Sequence, residues 1–255
     1  MANWKGSISF GLIYIPISLQ IAAQEERVSF NQLHKDTLKR IRYLKTCEGC
    51  KDVRQSDIVK GYEYEKDKYV IFSDEDFEKL KTEKNKSIMI EQFVNLSEID
   101  PIYYERAYYV IPQGAEKAFE LLKKAMSEEN KVGIAKAVFG EKENLVALRV
   151  INKEMVLNTL FFHYEIKKSQ AKEININLDD KELKLAKQII GSMTAPFEPE
   201  KYTDSYRERL LQAIDMKIKG EEIVKTEDKK LNIAIDLMDA LTRSLEAART
   251  QNALQ

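Results

Sequence analysis

The sequence predicts a mixed β/α protein, with a barrel or sandwich of short strands followed by a helical C-terminal region. Three observations carry this. Over roughly the first two thirds, runs rich in β-branched and aromatic residues alternate with polar turns, which favours a barrel or sandwich over a repeating βαβ sheet. From about Leu178 the apolar period becomes helical. A length of 255 residues is also enough to bury a substantial core. The expected divisions are residues 1–177, 178–220 and 221–255.

The chain opens on Trp4-Lys5-Gly6-Ser7-Ile8-Ser9-Phe10-Gly11-Leu12-Ile13-Tyr14-Ile15-Pro16-Ile17-Ser18-Leu19, without charge after Lys5. It reads as a buried core strand, with Gly6 and Gly11 where a bulge or close backbone approach is expected. Pro16 donates nothing to a ladder, so it should mark an edge, a bulge or the end of a pairing. Further strands are expected over Tyr69–Phe72, Ile88–Val94, Ala107–Ile111, Val146–Ile151 and Met155–Tyr164. Two helices interrupt them. One runs from Asp74 to Lys81 behind Ser73. The other places Ala115, Ala118, Phe119, Leu122, Ala125 and Met126 on one face. Asp179 with Glu182 forms a capping-box pattern before Leu183, Ala186, Ile190 and Met193. Thr203 or Asp204 caps a further helix bearing Tyr206, Leu210, Leu211, Ile214 and Ile218, which Gly220 ends. After a polar linker from Glu221 to Lys230, Ile233, Leu237, Leu241 and Leu245 recur every four residues. That stripe either docks on the chain's own core or is presented to a partner.

Overall charge argues against a nucleic-acid binder, since 41 Lys and Arg meet 42 Asp and Glu. The distribution is uneven. Between Arg27 and Arg54, eight bases face three acids, and a basic stripe rather than a net sum is what attracts phosphates. No run is long or apolar enough to span a membrane and no leader pattern opens the chain, so an intracellular soluble protein is expected. Gly6 and Gly11 have phosphate-loop spacing, but Leu12 and Ile13 stand where Lys and Ser or Thr are needed. The two histidines, His34 and His163, lie in no catalytic pattern. His34 fits packing or a structural hydrogen bond rather than a base, and His163 falls within an apolar strand. Cys47-Glu48-Gly49-Cys50 is half of a tetrahedral zinc site, completed only if His34 or a second protomer adds ligands. The alternative is a hairpin tip with two reduced thiols. No cofactor is expected.

Several motifs recur in one order: the opening string through Ile15-Pro16-Ile17, Leu33-His34-Lys35, Ile58 to Tyr64, Lys68-Tyr69-Val70 before Asp74-Glu75-Asp76, and Glu98 to Tyr103. Lys131 to Ala135, Phe197 to Tyr202 and Asp236 to Leu241 complete the series. Together they resemble the bacterial Ku proteins, which bind double-stranded DNA ends during non-homologous end joining. The resemblance implies a Ku-type β-barrel core with ring-forming strands, then a helical arm. It implies a homodimer whose inner basic residues meet phosphates without reading sequence, and no catalysis of its own. The DNA-binding candidates are Lys35, Lys39, Arg40, Arg42 and Lys45, with a second group of Lys131, Lys136, Lys142, Arg149 and Lys153. In that second hairpin Gly140-Glu141 replaces an Arg-Gly of the family pattern. Tyr206, Leu210, Leu211 and Ile214 are the dimerisation candidates. Asp236, Leu237, Met238 and Leu241 are the candidates for recruiting an ATP-dependent DNA ligase. Many family members continue into a lysine-rich tail where this sequence ends at Gln255, so tail-assisted binding is expected to be missing. The implied location is cytoplasmic and nucleoid-associated. Two other functions stay open: an abasic-site lyase using Lys5 as a Schiff-base nucleophile, and a protein scaffold without specific DNA binding.

Overall fold

The computed structural model describes residues 4–50, 52–80, 86–139, 142–172, 174, 176–177, 179–223 and 240–245. The chain forms two compact units, residues 1–169 and 170–255.

In the first unit the opening segment is a hairpin rather than one strand. Strand β1 (Trp4–Phe10) pairs with β2 (Ile13–Ile21), Phe10 opposite Ile13. Gly11, at φ +56°, supplies the positive φ that such a two-residue turn demands. Gly6 serves a different end. A Cβ there would collide with Lys86 O and the Trp4 ring, so only glycine lets Trp4 and the neighbouring strand approach this closely. The ladder also accommodates Pro16. Its partner Ser7 sends its N–H to Lys86 O at 2.8 Å, so no proton is asked of the proline. On the other side of β2, pairing begins only at Ile17, and Pro16 O accepts from Gln113 N at 2.9 Å. Pro16 thus sits at the end of a pairing, as expected.

After an irregular segment come β3 (Lys60–Glu65), β4 (Lys68–Phe72) and a helix, α1 (Asp74–Leu80). Strands β5 (Ser87–Asn95) and β6 (Tyr104–Pro112), helix α2 (Glu116–Glu128), and strands β7 (Lys131–Phe139), β8 (Lys142–Ile151) and β9 (Glu154–Leu160) follow. The sheet closes into a seven-stranded barrel in the order β1-β2-β6-β9-β8-β7-β5, with β5 returning parallel to β1. Closure leaves no unpaired edge. Alternate residues point inward, so Ile8, Ile15, Ile17, Ile88, Val146, Leu148, Met155 and Leu157 form the core, to which α2 adds Phe119, Leu122 and Met126. Each such side chain stabilises the fold by roughly 1.5–3 kcal/mol on burial. The opposite face of β7, β8 and β9 carries a smaller cluster, Val132, Ala147 and Leu160, against Ile99, Tyr103 and Tyr104.

The expected strand to Tyr164 stops short. Leu160 already pairs with Tyr104, the first residue of β6, and Phe161 N bonds Tyr103 O at 2.8 Å, so no partner strand remains beyond it. The chain turns through a single 3-10 turn, His163–Glu165. His163 is therefore a turn residue, its Nδ1 3.3 Å from the Tyr103 hydroxyl.

The second unit contains α3 (Asp180–Met193) and α4 (Ser205–Lys219). Asp179 and Glu182 form the expected capping box, and Asp204 is the cap of α4, accepting from Tyr206 N and Arg207 N at 3.0 Å. Gly220, at φ +79°, terminates α4. Residues 240–245 are helical, and Leu245 is the sole buried residue among those described in this unit. No helix among the described residues is long and apolar enough to cross a membrane.

Candidate nucleic-acid interface

Between β2 and β5 the chain contributes no strand to the barrel. The segment instead folds back on itself. Leu33 bridges Arg40, Ile41 N bonds Gln32 O at 3.0 Å, and His34 N bonds Lys39 O at 2.9 Å. Leu38 takes φ +54° at the bend, and His34 Nδ1 lies 3.2 Å from Thr37 Oγ1. Of the two roles that the sequence leaves to His34, packing or a structural hydrogen bond, this is the second.

This bend collects Lys35, Lys39 and Arg40, with Arg42 and Lys45 on the returning limb. Among the described residues, Lys35, Lys39, Arg40 and Arg42 make no ion pair or side-chain hydrogen bond, while Lys45 Nζ donates to Gln55 Oε1 at 2.6 Å. The flanking bases differ. Arg27 is held by Glu25, and Arg54 by Asp57 at 3.2 Å. Four cations therefore stand free in water between two neutralised ones, ready to exchange counterions for phosphate oxygens.

The same segment carries apolar side chains left exposed among the described residues. Phe30, Leu38, Tyr43 and Leu44 are 68%, 71%, 79% and 76% exposed. Strands β3 and β4 form a separate two-stranded sheet with Tyr62, Tyr64, Tyr69 and Ile71 exposed. A lone pair of strands is marginal in water, and apolar side chains left exposed on it gain stability from a covering surface. These aromatics carry no charge signal, so reading for basic residues passes over them.

The second basic group is not gathered in the same way. Lys131 Nζ donates to Asn95 Oδ1 at 2.8 Å, Lys142 pairs with Glu165 at 3.2 Å, and Arg149 Nε donates to Asn158 Oδ1 at 2.9 Å. Arg149 also lies 5.6 Å from the Tyr104 ring centroid, at a cavity of about 760 Å³ lined in part by Leu96, Ile99, Pro101 and Asn158. Lys136 is exposed on β7 and Lys153 sits in the β8–β9 turn at φ +66°. Only these last two resemble the free cations of the bend. Residues 140 and 141 lie outside the described residues.

Cys47 and Cys50 are joined as a disulfide, so the two reduced thiols read from the sequence are replaced by a bonded pair. The turn itself is as expected, with Gly49 at φ +80° and Cys50 N bonded to Cys47 O at 2.9 Å. His34 does not join them, for no group of three or more His, Cys, Asp or Glu is placed to hold a metal among the described residues. Lys5 is exposed on β1.

On α4, Leu210 and Ile214 are half-buried, whereas Tyr206 and Leu211 are 67% and 43% exposed. Leu241 is half-buried in a helical stretch. Asp236, Leu237 and Met238 lie outside the described residues.

Comparison with known proteins agrees with this architecture. The family model of the Ku70/Ku80 β-barrel domain matches residues 9–185. A "Non-homologous end joining protein Ku" from Lachnoclostridium phytofermentans is 45% identical over 251 residues, 98% of each chain. One of the same name from Archaeoglobus fulgidus is 44% identical over 97% of this chain and 99% of its own. The Bacillus subtilis protein of that name is 42% identical, covering 98% of this chain and 83% of its own.

Proposed function

The chain belongs to the Ku family, and from that premise we propose that it acts in non-homologous end joining as a sequence-independent binder of double-stranded DNA ends. Two copies close a ring around the duplex, protect the end and recruit an ATP-dependent DNA ligase. The observation that carries this reading is the pairing of four unneutralised cations, Lys35, Lys39, Arg40 and Arg42, with exposed apolar side chains on one segment outside the barrel. Free cations suit phosphates. Uncovered aromatics suit a second copy, which buries them and holds the cations in place. Residues 1–177 form the barrel and ring core, 178–220 the dimerisation arm and 221–255 the ligase-recruiting segment. The absence of buried residues on α3 and α4 supports the arm's role, since helices with unburied apolar faces gain most of their stability from packing on a partner.

The geometry explains selectivity without base contacts. Phosphate contacts fix position and carry no sequence information, so such a ring tolerates any duplex. A closed ring admits DNA only by threading, which restricts loading to ends. No catalytic residue is needed for either step.

Salt dependence tests the phosphate contacts. Each phosphate neutralised steepens log K against log salt by about 0.9. Lys39→Ala, Arg40→Ala and Arg42→Ala should each flatten that slope by about one such unit, while Arg27→Ala and Arg54→Ala leave it unchanged. A flat slope in the parent protein, or one indifferent to all five changes, would make the basic segment mere surface and favour a protein scaffold.

A further inference from the structure

We propose that Cys47 and Cys50 of two copies of this chain together bind one zinc ion as a four-thiolate site, clasping the two basic segments to each other. This rests on the homodimer of the proposed function and adds a metal to it. The Cys-x-x-Cys spacing with Gly49 at φ +80° is the tight turn that aims two sulfurs at one point, and the two residues also bridge through Cys47 N to Cys50 O and Cys50 N to Cys47 O. That supplies half of a tetrahedron. The other half is not in this chain among the described residues, since His34 is engaged by Thr37 and no third ligand accompanies the pair. Both cysteines are exposed. They sit on a segment whose apolar side chains are also uncovered, so the neighbour that buries Tyr43 and Leu44 is placed to bring a second pair of sulfurs.

The disulfide and the metal site are alternative states of the same sulfurs. Two molecules of a low-molecular-weight thiol reduce the bond, yielding two cysteine thiols and one small-molecule disulfide. Zinc then displaces four protons from the four thiols of two chains, with Zn–S distances of about 2.3 Å.

The test uses the full-length protein, reduced with a phosphine, loaded with zinc and freed of excess. Native mass spectrometry gives assembly size and metal content together, and cobalt replacement reports the ligand set through its thiolate charge-transfer and ligand-field bands. The expected result is a dimer with one zinc ion, a four-sulfur cobalt spectrum, and loss of the metal in Cys47→Ser and in Cys50→Ser. Because the cobalt spectrum is read on the unaltered protein, the outcome does not depend on how well a variant folds. A dimer without zinc, or with one zinc per chain and a two-sulfur spectrum, would overturn this site while leaving the ring intact. A monomer under all conditions would overturn the ring reading and this site with it.

Discussion

Gly6 is the position where one added methyl group does most harm. Its Cβ would meet both Lys86 O and the Trp4 ring, at the parallel seam where β5 returns to β1 and closes the barrel. Backbone cannot swing aside as a long side chain can. Gly6→Ala should therefore cost about 1–3 kcal/mol, read as a lower urea midpoint. A change under about 0.5 kcal/mol would show that the seam has slack. Glu165 makes a second residue-scale prediction. Its carboxyl is held below the ordinary value of 4.5, first by accepting from Phe162 N at 2.8 Å and then by Lys142. A depressed carboxyl stabilises the fold at pH values above its unfolded value, and the contribution is lost as pH falls through the folded one. The protection of the Phe162 amide relative to its intrinsic exchange rate should fall below about pH 4.5, and Glu165→Gln should remove that acid dependence. Protection at Phe162 that does not change with acid would contradict the assignment.

At the scale of elements, α4 carries the sharpest expectation. Its face of Leu210 and Ile214 is half-covered, and Tyr206 and Leu211 are more exposed still, which suits an arm that embraces a partner. Replacing Leu210 and Ile214 together by Glu should weaken dimerisation at least 100-fold, about 3 kcal/mol, measured by sedimentation velocity. Dimers of undiminished strength would assign those residues to packing within one protomer. The helices themselves were readable from the chain because their signals are local: Asp179 with Glu182, Asp204 and Gly220 each act within one turn. Most strands were readable from residue type, though β3 and β7 were not among those expected and the ends of others were misplaced. The opening run hid a turn, since Leu12 and Ile13 are as apolar as the strands around them and only Gly11 marked the bend. The strand expected to reach Tyr164 ended at Leu160 because β6 starts at Tyr104, a limit set by a distant partner. The candidate site divides in the same way. Composition exposed the basic residues, whereas which of them are already engaged depends on tertiary neighbours such as the Glu165 carboxylate for Lys142 and the Asn158 side-chain amide for Arg149. The cysteine pair was legible as a turn and not as a bond.

On the proposed reading, a net charge of −1 is compatible with phosphate binding because four unpaired cations, Lys35, Lys39, Arg40 and Arg42, are gathered on one segment outside the barrel. In the proposed ring, what selects ends is shape. A patch of lysines and arginines binds any duplex it touches, while a closed ring binds only what passes through it. The decisive measurement compares one linear duplex with the same DNA as a covalently closed circle, at matched physiological salt. The account predicts binding to the linear form that survives when its ends are ligated into a circle around the bound protein, and no binding when the circle is offered first. Equal binding to the linear duplex and to the pre-closed circle would contradict it.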